Sequence, residues 1–443
     1  MRSGMLKHLN ACRSAARCIQ PWSLVPSRHA ASASLAEDTE SVIFPQEGPG
    51  VSYGLNWALS ARGIFVKDKA FYNLKSSELE KYGAVPSEHL SGFPIHYRGK
   101  FTQGTHEISK AQFNKLLKLV TSHISSTSNI FVHDGAVGSS PRCDAKVRVI
   151  SDHPSAILKY LNVLWRTPTR AVSHDTCPLT VYVASSISAS TGEIIGIGAN
   201  NGFLAADSER ASLVLCGRAF TDISATKEAL AASVAPTIFA RGGLPLSARL
   251  LVSGDSVILL FASEATIKNF SELQKMLVSK DAGVVLSSDG VAPQFRTYDS
   301  NAPNLLKTPA AVVFSFVDNS GVIPSLSKLS PGQAAYHFLA GYQDGKFVPA
   351  FGAPPSLTPL ELAKGLLSQL SSKEIPTFLI NPTVGGKHLT GQEFLKVVES
   401  ALSKNVPESK LGREPDAKVG DLRAKYKDFI SSKFQDLPEE FSF

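Results

Sequence analysis

The apolar positions of this chain fall into short continuous runs and helical stripes. Val257 to Ala262 is one such run, the length of a buried strand and far short of the roughly 20 residues that a membrane-spanning helix needs. Beyond it, apolar residues recur at Ile267, Phe270, Leu273 and Leu277, the spacing of one helix face. The pattern predicts strand, tight turn, helix, with Ser263 as N-cap. Phosphate-binding loops are built on that frame: glycines let backbone amides close around the phosphates, a lysine reaches the terminal ones and a hydroxyl holds magnesium. Here no glycine lies between Asp255 and Lys280, and Glu264 stands where an anion would dock. An exposed glutamate there stabilises the start of its own helix by about 0.3–1 kcal/mol.

The same reading places elements along the rest of the chain. Ser109 and Gln112 form a capping box ahead of a helix whose inner face is Phe113, Leu116, Leu117, Val120 and Ile124. Ile130–Asp134 predicts a buried strand, Gly135–Pro141 a turn, and the alternating Lys146–Ile150 a second strand. Leu179–Ala184, Arg249–Val252, Val284–Leu286, Ala311–Val317 and Thr377–Ile380 predict further strands. Capping boxes at Ser330/Gln333, Thr358/Glu361 and Thr390/Glu393 open three helices, two of them with Pro at the first helical position. Gly192–Gly202 reads as a hairpin turn, because it lacks the third glycine of a dinucleotide loop. From Ser403 the chain is charged, and Asp421–Phe434 reads as an exposed helical tail.

Charge changes the picture at the start of the chain. Residues 1–36 carry Arg2, Lys7, Arg13, Arg17 and Arg28 and no acid, the composition of a mitochondrial transit peptide. Without those five, 40 bases face 38 acids, a net of +2, so nucleic acid is not an expected partner. Cys143, Cys177 and Cys216 lie far apart and show neither a disulfide framework nor metal spacing. His337 sits beside Tyr336 and Phe338 and reads as a packed core histidine. His133 and Asp134 are adjacent on a strand and point to opposite faces, so they form no dyad. His153 and His174 flank proline-containing turns and take no role.

Several runs resemble ATP-dependent phosphoenolpyruvate carboxykinases. SGVIPSLSKLSPGQAAYHFLAGY, Ser320 to Tyr342, is similar to the family's F-G-V-L-P-P-V-S-x-L-x-x-x-Q-x-x-Y-H-F-L-S-G-F. Ile130–Ile150, Asn201–Arg210 and Gly243–Phe261 resemble further family segments, in family order. The resemblance implies a mixed α/β fold of two domains, 37–245 and a shortened nucleotide domain 246–402, followed by a charged tail 403–443. It also implies decarboxylation of oxaloacetate with phosphoryl transfer from ATP, using magnesium and manganese.

Residue by residue, the match departs from that chemistry. The family's G-L-S-G-T-G-K-T-T corresponds to Phe261, Ala262, Ser263, Glu264, Ala265, Thr266, Ile267, Lys268 and Asn269, with isoleucine at the lysine position. The substrate arginine corresponds to Arg62, the substrate tyrosine to Phe220, the metal-binding lysine pair to Thr226 and Lys227, the metal aspartate to Asp289 and a second arginine to Arg296. No histidine lies between Leu244 and Asp255, where the family has a metal ligand, and the adenine-site segment corresponds to Gly386–Thr390.

Phosphoryl transfer is mostly positioning and charge stabilisation, so these losses predict a non-enzymatic chain that binds neither ATP nor Mg or Mn. The expected role is a structural subunit of a mitochondrial complex of the ATP synthase, respiratory or ribosomal type. It would sit in the matrix or on the matrix side of the inner membrane, with other protein subunits as partners and no transmembrane segment. The alternatives are an active carboxykinase with a rearranged loop, Lys268 serving if the register slips by one, or a module that binds a small carboxylate through Arg62 or Arg296.

Overall fold

Most of the apolar runs become strands buried on both faces, and the strands sort into sheets by their place in the chain. The computed structural model describes residues 48–101, 106–140, 142–166, 178–188, 190–197, 201–270, 276–278, 282–296, 307–319, 323–343, 346–349, 351, 354–384, 387–403 and 417–441. The expected leader, Pro141, His174, Gly198, Leu273 and Gly386 lie outside these residues.

The first half builds one eight-stranded sheet. Its strands are β1 (Lys69–Tyr72), β2 (Ile95–Arg98), β3 (His106–Glu107), β4 (Asn129–Val137), β5 (Ala145–Ser151), β6 (Leu179–Ala184), β7 (Gly202–Asp207) and β8 (Ser212–Gly217). They lie in the order β1-β4-β5-β6-β8-β7-β2-β3. The β4/β5 and β7/β8 pairs are antiparallel and the other pairs parallel. Both faces are covered, which is why these strands are apolar almost throughout. One face packs on the helices Tyr53–Ser60 and Lys110–Ser126 through Leu59, Phe113, Leu116, Val120 and Ile124. The other packs on the helices Pro154–Val163 and Ile223–Ala240 through Ile157, Tyr160, Leu230 and Val234.

The second half repeats the arrangement on a smaller scale. Its strands are β9 (Leu244–Leu246), β10 (Arg249–Ser253), β11 (Ser256–Ala262), β12 (Val284–Ser287), β13 (Gly290–Pro293), β14 (Ala311–Ser315) and β15 (Leu326–Leu329). A hairpin of β16 (Ala340–Gln343) and β17 (Lys346–Pro349) follows, then β18 (Thr377–Ile380). Five of them form a sheet in the order β10-β11-β14-β18-β15, and three form a small sheet, β13-β12-β9. On β11, Phe261 stacks on Phe314 of β14 at 4.8 Å between ring centroids, and its edge meets Phe338 of the helix Pro331–Leu339. All three predicted capping boxes form, at Ser330, Thr358 and Thr390.

Four local expectations change. The predicted turn at Gly135 is strand: β4 stays paired with β5 up to Val137, opposite Ala145, and Ala136 also exchanges two hydrogen bonds of 2.9 Å with Trp165. Gly135 makes that approach possible, since a Cβ there would lie 2.7 Å from the Leu164 Cβ. The helix after β11 spans only Glu264–Asn269, and Leu277 instead bridges to Leu251 at the sheet edge. Thr191–Ile194, expected within a hairpin turn, is one helical turn.

The fourth change concerns the tail. The helix Ala417–Lys433 folds back on the second-half core: Tyr426 and Ile430 are fully buried, and the Tyr426 ring lies 5.7 Å from Tyr336 and 5.6 Å from His337. Tyr426 and Ile430 lie along an otherwise charged segment, too sparse a stripe to read as a core face. Ile430→Ala should therefore cost about 2–5 kcal/mol of unfolding free energy. A urea midpoint equal to that of the wild type would show the tail to be uncoupled from the core.

Candidate functional site

A cleft of about 540 Å³ lies where the helix Ile223–Ala240, the end of β9, the turn after β11 and the segments flanking the β12/β13 pair come together. Its lining includes Lys227, Glu228, Ser247, Glu264, Gln294 and Phe295. Gly217 prepares this geometry from the other side. It adopts φ +60, where a Cβ would lie 2.7 Å from the Asn201 carbonyl oxygen, and so turns the chain out of β8 into the 3-10 turn Arg218–Thr221. The side chain of Asp222 then caps the long helix by accepting from the Ala225 amide at 2.9 Å. One and a half turns on, Lys227 points its ammonium 5.8 Å from the centroid of the Phe295 ring. Burial, then Asp222, raises the pKa of Glu228.

The expected phosphate-loop residues behave as two groups. Phe261, Thr266 and Ile267 are buried, so isoleucine at the family's lysine position faces the core. Ser263 caps the short helix, accepting from the Thr266 amide at 3.1 Å, and its hydroxyl lies 2.8 Å from that of Thr266. Lys268 is exposed and does not line the cleft. Glu264 lines the cleft and pairs with Arg249, whose side chain is 3% exposed against 66% for Glu264.

The remaining sequence candidates are dispersed. Only Lys227 among them lines the cleft. Arg62 donates to the Thr180 Oγ1 at 3.1 Å and to the Ala58 carbonyl at 2.9 Å, beside the buried pair in which Arg148 grips both oxygens of Asp134. Asp289 accepts from the Ser140 hydroxyl at 3.3 Å and lies 3.5 Å from Arg142. Arg296 donates to the Leu161 carbonyl at 2.9 Å, and Phe220 packs on the first-half core. Sequence reasoning missed Glu228 and Gln294 as cleft residues and Arg249 as the partner of Glu264. None carries a motif, and Arg249 meets Glu264 only because β10 and β11 pair antiparallel.

Outside the cleft, His337 is a core residue as expected, pushed down to about 4 by burial. His153 caps the helix Pro154–Val163. His123, Asp152 and Ser186 form a cluster with the composition of a nucleophilic site. The single atom His123 Nε2 lies 3.0 Å from Asp152 and 3.1 Å from Ser186, so the ring does not bridge base to nucleophile through its two nitrogens. Asp152 instead collects amide and hydroxyl bonds from both Ser185 and Ser186. Among the described residues no group of three or more His, Cys, Asp or Glu could hold a metal ion.

The family model for phosphoenolpyruvate carboxykinase matches residues 296–411. A curated protein of Flavobacterium johnsoniae named phosphoenolpyruvate carboxykinase (ATP) is 35% identical over 101 residues, 19% of each chain. Those of Christiangramia forsetii and Bacillus subtilis, with the same name, are 34% and 32% identical over 117 and 124 residues, 23% and 25% of this chain and 22% and 24% of theirs. The match thus spans about a fifth to a quarter of the length of these relatives. The mixed α/β architecture is consistent with a carboxykinase-like fold.

These matches overturn two expectations, that the chain is no enzyme and that ATP, magnesium and manganese binding is lost. The matched family is a family of enzymes, and each of these relatives is named for its use of ATP. The expectation weighed one nine-residue loop, whereas the relationship runs through a later segment that the loop argument did not count.

Burial pushes the Asp152 carboxyl up, but the hydrogen bonds from His123, Ser186 and Ser185 outweigh it and hold the group at about 2. A folded-state pKa below the unfolded value stabilises the protein above the unfolded pKa, near 3.9, and that stability is lost as pH falls through about 2. Asp152→Asn should cost about 2 kcal/mol at pH 7 and flatten the loss of stability between pH 4 and pH 2. Urea unfolding across that range tests this, and an unchanged acid limb would refute it.

Proposed function

We propose that the chain is an ATP-dependent enzyme of the phosphoenolpyruvate carboxykinase type, with a rearranged phosphate loop, and that its reactants meet in the cleft beside Lys227. The observation that carries this reading is the match of residues 296–411 to that family, whose segment also supplies Pro354 and Pro355 to the cleft wall. In the proposed reaction oxaloacetate loses CO₂, and its enolate oxygen takes the γ-phosphoryl group of ATP, leaving ADP and phosphoenolpyruvate.

Lys227 is the cleft-lining cation suited to the transferred group. Removing a preorganised charge-stabilising donor typically costs 10²–10³ in rate. Magnesium is commonly held by one or two carboxylates together with the nucleotide's own phosphates, and Glu264 at the cleft wall supplies one. The metal would neutralise phosphate charge. The protein's part is to orient the two reactants and exclude water behind Phe295.

A second role, as a partner of other protein subunits, is favoured by the surface at 51–85. Tyr53, Trp57, Phe65, Tyr72, Tyr82, Val51 and Val85 stand exposed there, and among the described residues Ile194 is the one other large apolar side chain that does. Exposed aromatic side chains are enriched at protein-binding surfaces. The basic, acid-free leader supports a mitochondrial setting for such an assembly.

Purified protein should form phosphoenolpyruvate from oxaloacetate only when ATP is present, and Lys227→Met should lower kcat/KM about 100-fold or more with the fold intact by circular dichroism. Folded wild-type protein that forms none would end the enzymatic reading. For the partner role, native electrophoresis of mitochondria should place the chain in a large complex that Trp57→Ser and Phe65→Ser together disrupt. Migration as a free monomer would end that role.

A further inference from the structure

A buried cation beside the cleft, Arg249, is paired with the chain's own carboxylate Glu264. Arg249 is almost wholly buried and does not line the cleft, whereas Glu264, paired with it, does and is two-thirds exposed. The Glu264 carboxylate therefore stands at the contact between the cleft and this guanidinium. A second observation points to the same kind of ligand. Gln294 also lines the cleft and is 4% exposed, and its side-chain Nε2 has no acceptor among the described residues. A buried amide donor without an acceptor is costly, and an acceptor oxygen supplied by a ligand removes that cost. With Lys227, the cleft brings together an ammonium, a buried amide donor and a guanidinium behind a movable carboxylate.

We propose that Arg249, Gln294 and Lys227 are the oxyanion-binding set of this cleft, and that Glu264 is a tethered mimic of the anion, which must leave Arg249 before a phosphate or carboxylate group can take its place. Arginine suits this exchange, because its fork of donors accepts either carboxylate or phosphate in the same geometry. The exposed Glu264 side chain needs no refolding to swing away. The ligand class follows: a polyanion dense in acceptor oxygens, such as a di- or triphosphate. The inference deepens the proposed function by naming the groups that hold the anion, and it rests on the cleft being the reactive site.

The test uses inorganic pyrophosphate in the presence of EDTA, so that no metal bridges to the carboxylates, with affinity read by calorimetry on the full chain. Glu264→Gln should bind pyrophosphate at least tenfold more tightly than wild type, and Gln294→Leu should bind it more weakly. Glu228→Gln removes the same charge from the same cleft and should change affinity less than twofold. Adding Arg249→Lys to Glu264→Gln should cancel most of the gain, because a shorter point charge cannot reproduce the fork. Equal gains from Glu228→Gln and Glu264→Gln would reduce the effect to net charge and overturn the proposal, as would a gain that survives Arg249→Lys. Should Glu264→Gln gain affinity as described while no variant forms phosphoenolpyruvate, the anion set stands and the enzymatic reading alone falls. If neither wild type nor Glu264→Gln binds pyrophosphate at millimolar concentration, the anion set is overturned.

Discussion

The packing of Phe261 governs what the second half of the molecule can do. Its ring stacks on Phe314 at an interplanar angle of 6°, with Phe338 and Phe351 closing around it. β11 is thereby held between β10 and β14, and the turn that follows it emerges in a single position. In a glycine loop that position would present backbone amides to a ligand. Here it presents Ser263, which caps its own helix, and Glu264, which reaches back to Arg249. Because β10 is antiparallel to β11, Arg249 sits opposite Leu260, close to the turn. The ion pair at the cleft is therefore a consequence of sheet register.

Buried charge plays a comparable part in the first half. Asp134 and Arg148 are direct cross-strand neighbours on β4 and β5, joined by two hydrogen bonds of 2.8 and 2.7 Å, and Tyr72 of β1 adds a third bond at 2.8 Å. Lys146 and Asp144 form a second pair, both fully buried. Such pairs recover little net stability after desolvation, but removing one partner strands the other, so they penalise a slipped register. Arg62 sits beside the first pair, and burial, then Arg148, lowers its pKa. That places the expected substrate arginine against the sheet's own electrostatics, and it does not line the cleft.

Local signals were read well and long-range ones poorly. Capping boxes are complete within four residues, so Ser109, Ser330, Thr358 and Thr390 were identifiable and all of them form. Buried strands such as Leu179–Ala184 were visible as short apolar runs. The turn expected at Gly135 failed because the strand continues in its pairing with β5 and is joined on its other edge by Trp165, thirty positions away. The tail failed for a similar reason. Tyr426 and Ile430 are sparse along a charged helix, and only the face of Tyr336 and His337 makes them core.

By itself the sequence determined the strand-turn-helix frame around Ser263, the absence of glycine from that turn and the identity of the side chains that replaced it, since these depend on neighbours a few bonds apart. Tertiary structure decided the rest of the site: that Arg249 answers Glu264, that Gln294 is buried with an idle donor, and that Lys227 faces the cleft while Arg62 and Asp289 do not line it. Those pairings join residues from separate strands and helices. Their energies depend on burial and on distances of a few ångströms, quantities that exist only once the sheets have closed.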